Sequence, residues 1–285
     1  MIGIIGGSGI YEIEGLAGAA WRRLTTPWGD PSDEILTGNL GGQAVAFLPR
    51  HGRGHRIPPS DLNFRANIAA LKGLGVTDVI SLSAVGSLTE RLPPGTFVIV
   101  DQFVDRTFGR VKTFFGPGLV AHVSMANPVC SRLGHRIEAA APQAGIAVVR
   151  GGTYLAMEGP QFSTRAESDL YRQWGMAVIG MTNMPEAKLA REAELCYASV
   201  AMVTDYDCWH PDHGHVTVDQ VMGVLAANAG NARRLVAALI PGLADRPTPC
   251  PDGCDRALDH AVVTAPAARD PVMVEKLRAI ASRVL

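Results

Sequence analysis

Seven apolar, β-branched runs constrain this chain most: "IGII" at 2–5, "AVAFLPR" at 44–50, "DVISLSAVGSL" at 78–88, "TFVIVDQFVD" at 96–105, "IAVVRGGTYLAMEG" at 146–159, "AVIGMT" at 177–182 and "CYASVAMVTD" at 196–205. Near-continuous apolar runs of this length read as strands covered on both faces. Between them lie stretches with helical spacing: "SDLNFRANIAALKGLG" from Ser60, "TRAESDLYRQWG" from Thr164 and "MPEAKLAREAEL" from Met184. The first two open on a capping Ser or Thr and close at a glycine. This alternation predicts an α/β fold with a mixed, largely parallel central sheet, whose ligands gather at the carboxyl ends of the strands. From "HVTVDQVMGVLAANAGNARRLVAAL" onward the pattern is mainly helical. A loop of roughly residues 246–270 interrupts it, and "DPVMVEKLRAIASRVL" ends it.

With 285 residues and 47% hydrophobic content, one large domain is favoured. We expect a core over 1–242 and a C-terminal extension over 243–285 that packs on the same domain. The 26 basic and 27 acidic residues leave a net charge of −1, which gives no footprint for nucleic acid or an anionic membrane. "MIGIIGGSG" lacks the pattern of a signal peptide, and no apolar run approaches the roughly 18 to 20 residues of a membrane helix. A cytoplasmic location is expected.

Five cysteines, an odd number, do not describe a secreted disulfide framework. Cys130, Cys196 and Cys208 read as small buried hydrophobes. Cys250 and Cys254, in "CPDGC", form a close pair in a Pro- and Gly-rich loop. Two ligands alone fall short of a zinc site, so a metal, a local disulfide and free thiols stay open, with no metal expected.

Several strand ends carry groups suited to an anion. "GIIGGSGI" fits neither the dinucleotide fingerprint nor the Lys-bearing phosphate loop, but Ser8 and its glycine-rich turn can offer N–H and O–H donors. "LPRHGRGHR" places Arg50, His51, Arg53, His55 and Arg56 after a buried strand, a concentration of positive charge that calls for an anion or for acids. Ser83 in "SLSAVGSL" and Thr182 in "GMTNMPE" add hydroxyls at two further strand ends. Together these are the parts of an orthophosphate site, with Arg as a bidentate fork.

"IGGSG", "RHGRGH", "DLNFRANIAALK", "VGSL", "DQFVDRT", "EGPQFSTRAES" and "MTNMPEAKLAREAELCYASVAMVTDYDCW" resemble, in order, the trimeric purine nucleoside phosphorylase family. The likeness is strongest to its branch acting on 5'-methylthioadenosine. It covers roughly residues 2–242 and continues more loosely through "CDRALDHAVVT". It implies a single α/β domain with a partly barrel-like mixed sheet flanked by helices. It also implies phosphorolysis of 5'-methylthioadenosine to adenine and 5-methylthioribose 1-phosphate, with no metal or organic cofactor, in a homotrimer or a dimer of trimers. Phosphate is then expected at Ser8, Arg50, His51, Ser83 with the Ala84 backbone, and Thr182. Phe162 is placed against the base, Ser163 near its edge and Met181 under the ribose. Val218, Val221 and Met222 surround the 5'-methylthio group, joined by His122 of a neighbouring subunit.

The resemblance turns Asp205 and Asp207, in "TDYDCW", toward the purine. On a strand their period of 2 sets both on one face, opposite Tyr206. Two carboxylates in a dry cleft cannot both ionise cheaply, so one holds its proton to higher pH. A protonated Asp205 can donate to purine N7, while an ionised Asp207 accepts from a 6-amino group and repels a 6-oxo oxygen. Relatives acting on 6-oxopurines carry Glu where this chain has Ser163. A plainer role for the two acids is to end a strand and cap the next segment. Thr217 reads as a helix N-cap, and Val218, Val221 and Met222 form one stripe of that helix, a pattern that also serves a core. Loops 109–122 and 209–216 suit either closure over a substrate or a mobile surface. The alternatives are a phosphorylase for methylthioinosine or general purine nucleosides, or a non-catalytic nucleotide-binding α/β protein.

Overall fold

Among the described residues of a computed structural model, eleven strands form one mixed sheet, accompanied by six α-helices. The structure describes residues 1–285 except 8, 11 and 212–217, and omits the side chains of 218–222. The strands before the first helix are β1 (Ile2–Gly6), β2 (Ala17–Arg22), β3 (Ile35–Leu40) and β4 (Gln43–Pro49). Next come α1 (Phe64–Gly73), β5 (Asp78–Ser87), β6 (Phe97–Ile99), β7 (Gln102–Asp105), α2 (Ser131–Ala140), β8 (Val148–Arg150) and β9 (Thr153–Ala156). The remainder is α3 (Arg165–Gln173), β10 (Val178–Gly180), α4 (Glu186–Glu192), β11 (Cys196–Asp205), α5 (Val218–Leu239) and α6 (Pro271–Ala281).

β5 is the hub. It pairs in parallel with β1 and along most of its length with β11, and its last residues pair antiparallel with β10. β4 extends the parallel set beyond β1. β11 then pairs with β6, the chain runs from β6 into β7, β7 pairs with β9, and β9 pairs with β10. These pairings close a ring from β5 through β11, β6–β7, β9 and β10 back to β5, the barrel-like part of the sheet. The runs 96–105 and 146–159 each bend into two strands to complete it, the second at Gly151 and Gly152, whose φ angles of 88° and 133° suit a residue without Cβ.

Two large apolar clusters cover the two faces of the sheet, with a smaller third against β9 and β10, which explains why its strands read as continuous apolar runs. α1 packs against α4 and α6. Leu258, Leu277 and Ile280 from the C-terminal segment are buried in the same cluster as Phe64 and Ile68 of α1.

Local expectations fared unevenly. Thr164 caps α3 with a full capping box, its hydroxyl meeting the Glu167 N–H while Glu167 returns to the Thr164 N–H. Ser60 does not cap α1. A 3-10 turn intervenes, Asn63 accepts from the Ala66 N–H instead, and the Ser60 hydroxyl bonds to Glu158. β2 escaped the sequence pattern because it is exposed throughout and held by backbone pairing to β3, and β3, though mostly buried, because Thr37, Gly38 and Asn39 interrupt its apolar run. The cap at Thr217 lies outside the described residues.

Candidate active site

The carboxyl ends of β1, β4, β5 and β11 converge on one side of the sheet, because all four strands run parallel. The Arg50 N–H, just past β4, bonds to the Gly6 carbonyl at the end of β1, so these two loops start from a common point.

Arg50 is 2% exposed. Its Nε and Nη2 donate to the two carboxylate oxygens of Glu186 at 2.9 and 3.2 Å. Nη2 also reaches Ser81 Oγ, and Nη1 donates to the Leu82 carbonyl. The fork expected for an anion is thus turned on Glu186, and only the second N–H of Nη1 is left to a phosphate oxygen. Glu186 accepts further from Ser81 and Tyr197, and Asn183 joins Ser81, Tyr197 and Ser199. This buried network fixes the rotamer of Arg50 and the floor of the loop after β10.

On that floor Ser83 Oγ and Thr182 Oγ1 stand 2.8 Å apart, with the Tyr154 hydroxyl 3.1 Å from Ser83. Ser83 Oγ also donates to the Ala84 carbonyl. His51 is buried, and its Nδ1–H donates to the Ile57 carbonyl at 2.9 Å, leaving Nε2 as its other polar atom. Its ring stacks on His55 at 4.2 Å. Burial first, then neighbouring Arg50, pushes its pKa down to about 4. Ser8 lies outside the described residues.

Asp205 and Asp207 meet by a different route from strand alternation. β11 bulges between Val203 and Asp205, ends at Asp205, and turns through Asp207 in the left-handed region at φ 52°. Asp205 Oδ1 accepts from the Asp207 N–H at 2.7 Å, and Oδ2 from the Thr204 hydroxyl at 2.7 Å. The strand's period of 2 therefore does not hold across the pair. Gly86 of β5 makes room: a Cβ there would lie 2.9 Å from Asp205 Oδ1 and 3.3 Å from Asp207 Cβ.

Burial raises both carboxyl pKa values, and the charge of Asp207 raises that of Asp205 further, against the hydrogen bonds from Thr204 and the Asp207 backbone. The nearby Ser168 and Ser163 hydroxyls favour the charged form of Asp207. Even so, Asp207 Oδ2 and Ser168 Oγ are buried with no hydrogen-bond partner among the described residues. Along β5, Ser83 and Gly86 are three residues apart, a span of about 10 Å.

Around this span, Ser163 takes a Cys208 thiol contact on its carbonyl, and Phe162 is 46% exposed. Met181 presses on Gly159, where an added Cβ would fall 2.5 Å from its sulfur. Arg110 Nη1 donates to the Met181 and Met184 carbonyls at 2.6 Å, while Nε pairs with Glu158 at 3.1 Å, tying the two loops together. His122 sits elsewhere within the chain, lining a cavity of about 410 Å³ with Lys112, Lys188 and Glu192. Val218, Val221 and Met222 lie on the first turns of α5, and their side chains are outside the described residues.

Sequence reasoning missed Glu186, Asn183, Tyr197, Gly86, Arg110 and Ser81. Only Ser81 carried a signal, since it shares a strand face with Ser83. The cysteine reading also needs correction: Cys130 and Cys196 are buried, as expected, but they meet Cys250 and Cys254 in one cluster, because the C-terminal segment returns to the start of β11.

The phosphorylase superfamily model matches residues 1–241. The chain is 64% identical, over all its 285 residues and 97% of the relative, to the S-methyl-5'-thioadenosine phosphorylase of Rhodospirillum rubrum. It superimposes with a TM-score of 0.92 and 48% identity on a methylthioadenosine phosphorylase from an antarctic soil metagenomic library, covering 98% of each chain. A variant of the adenosine/methylthioadenosine phosphorylase of Schistosoma mansoni in complex with methylthioadenosine matches at a TM-score of 0.80 and 40% identity, over 85% of this chain and 91% of that one.

Proposed function

As the chain belongs to the phosphorylase superfamily, we propose that the cleft along the end of β5 joins inorganic phosphate at Ser83 to an adenine base at Gly86. The reaction is phosphorolysis of 5'-methylthioadenosine, which makes the protein a pentosyltransferase. Phosphate attacks C1' of the pentose, the bond to the purine nitrogen breaks, and the electron pair leaves with the base. Adenine and 5-methylthioribose 1-phosphate are the products.

In this reading Ser8, Ser83, Thr182, the Ala84 backbone and the second Nη1 N–H of Arg50 donate to hydrogen phosphate, and neutral His51 accepts from its P–OH at Nε2. Protonated Asp205 donates to N7 as the base departs, a contribution of about 10²- to 10⁴-fold for a positioned general acid. Ionised Asp207 accepts from the 6-amino group. The observation that carries the assignment is Asp207 itself, a buried carboxyl beside Gly86 whose Oδ2 has no hydrogen-bond partner among the described residues. A 6-amino group supplies a donor, whereas a 6-oxo group leaves Oδ2 unpaired at a cost of about 1 to 3 kcal/mol. Phe162 and Ser163 bound the base, and Met181, held by Gly159 and Arg110, lies under the ribose. Val218, Val221 and Met222 enclose the methylthio group.

The cleavage step uses no metal or organic cofactor in this proposal. The assembly is a homotrimer or a dimer of trimers in which His122 reaches a neighbouring site. No helix among the described residues is long and apolar enough to cross a membrane. In this proposal the enzyme works on small nucleosides in the cytoplasm, without nucleic-acid or membrane partners.

The test is a nucleoside panel with and without phosphate. Adenine release from 5'-methylthioadenosine should need phosphate, run slower on adenosine and be weak on methylthioinosine. Equal release without phosphate identifies a hydrolase, and a preference for 6-oxopurines overturns the role of Asp207.

A further inference from the structure

At the end of β11 opposite the acids, the Sγ atoms of Cys130, Cys196, Cys250 and Cys254 all lie within 4.8 Å of one another, and all four residues are buried. They come from distant parts of the chain. Cys130 precedes α2, with its N–H bonded to the Tyr197 carbonyl at 2.8 Å. Cys196 is the first residue of β11, and Cys250 and Cys254 flank a tight turn. Gly253 takes φ 67° in that turn, and its N–H closes on the Cys250 carbonyl at 2.9 Å.

We propose that these four cysteines form a closed tetrathiolate site for a structural zinc ion that clips the C-terminal segment to the start of β11 and to α2. A tetrahedron with zinc–sulfur bonds of about 2.3 Å places its sulfurs about 3.8 Å apart. Cys130 and Cys250 have that separation, 3.8 Å. A disulfide needs about 2.05 Å, and none of the cysteines is bonded to another. Four protein ligands leave no open position, and nine residues of strand set the site about 30 Å from Asp205, so the ion is not part of the cleavage chemistry.

Binding releases four thiol protons to solvent as four sulfur–zinc bonds form, with no change in oxidation state and a net charge of −2 on the centre. Arg246 lies beside it, with Nη2 3.5 Å from Cys196 Sγ, and is held there by Asp78 and Asp255 at 3.0 and 3.2 Å. Asp252 Oδ2 accepts from the Cys130 thiol at 3.3 Å and from the Arg132 N–H at 2.8 Å, and keeps the second bond once the thiol proton leaves.

The experiment is anaerobic purification of the full chain with reductant and zinc, then exhaustive dialysis and elemental analysis. About one zinc per chain is expected, and Cys208→Ser, outside the cluster, should keep it. The double variant Cys250→Ser, Cys254→Ser should lose it. Cobalt in place of zinc should show the intense visible bands of a tetrahedral thiolate centre in the native chain and in Cys208→Ser but not in the double variant, and a chelator should lower the native melting temperature. A dialysed, folded, fully reduced chain without zinc overturns the proposal. So does a purified chain lighter by four hydrogens, which has two disulfides instead.

Discussion

Arg50 and Glu186 form a two-bond ion pair, 2.9 and 3.2 Å, between side chains each 2% exposed. The carboxylate keeps the guanidinium charged and locks it beneath the hydroxyls of Ser83 and Thr182. Removing one member of such a pair strands the other charge away from water. Glu186→Ala should therefore cost about 3 to 5 kcal/mol of stability, read by urea unfolding. A loss within about 1 kcal/mol would mean that water or a rotated side chain compensates Arg50.

Gly86 is where β5 gives way to the acid pair. Its Cβ position lies 2.9 Å from Asp205 Oδ1, and the contact is with a side chain held by two hydrogen bonds. Gly86→Ala should displace both acids and lower kcat at least about tenfold, while melting temperature moves little, since a site misplaced by about 1 Å commonly loses far more rate than the fold loses stability. Unchanged kcat would show that the acids tolerate displacement.

Asp205→Asn removes the proton donor, and kcat for 5'-methylthioadenosine should fall about 10²- to 10⁴-fold while preference shifts toward 6-oxopurines. Asp207→Asn removes the charge that helps raise the Asp205 pKa. Because activity needs Asp205 protonated, it falls as pH rises through the upper pKa of the pair. The alkaline limb of kcat/KM should move to lower pH in Asp207→Asn. A limb that stays in place assigns the proton to another group.

His51 titrates near pH 4 when folded, against an ordinary 6.5, through burial and then the Arg50 charge, with His55 adding and Glu186 opposing. Between these values the unfolded chain takes up a proton that the folded chain refuses. The neutral ring's contribution is thus complete above pH 6.5 and lost as pH falls toward 4, about 3 kcal/mol at the low end. Unfolding free energies at about pH 7 and about pH 4.5 should differ less in His51→Gln than in the native chain. Parallel pH dependence would place the titrating group elsewhere.

The amino-acid order by itself determined the elements whose period reports burial. "CYASVAMVTD" is β11 residue for residue, "DVISLSAVGSL" is β5 but for its last leucine, and the Thr164 capping box marks the start of α3. It also supplied the hydroxyls and acids of the cleft, because their residue types and strand-end positions are local facts. Tertiary structure alone decided the partners. Arg50 meets Glu186 across 136 positions, Gly86 opens room for Asp205, and Cys130 meets Cys250 across 120. Hydrophobic period encodes which face of an element is covered and carries no address for what covers it. β5 acquired three partner strands, and the turn at Asp207 its left-handed conformation, only when the sheet closed around them.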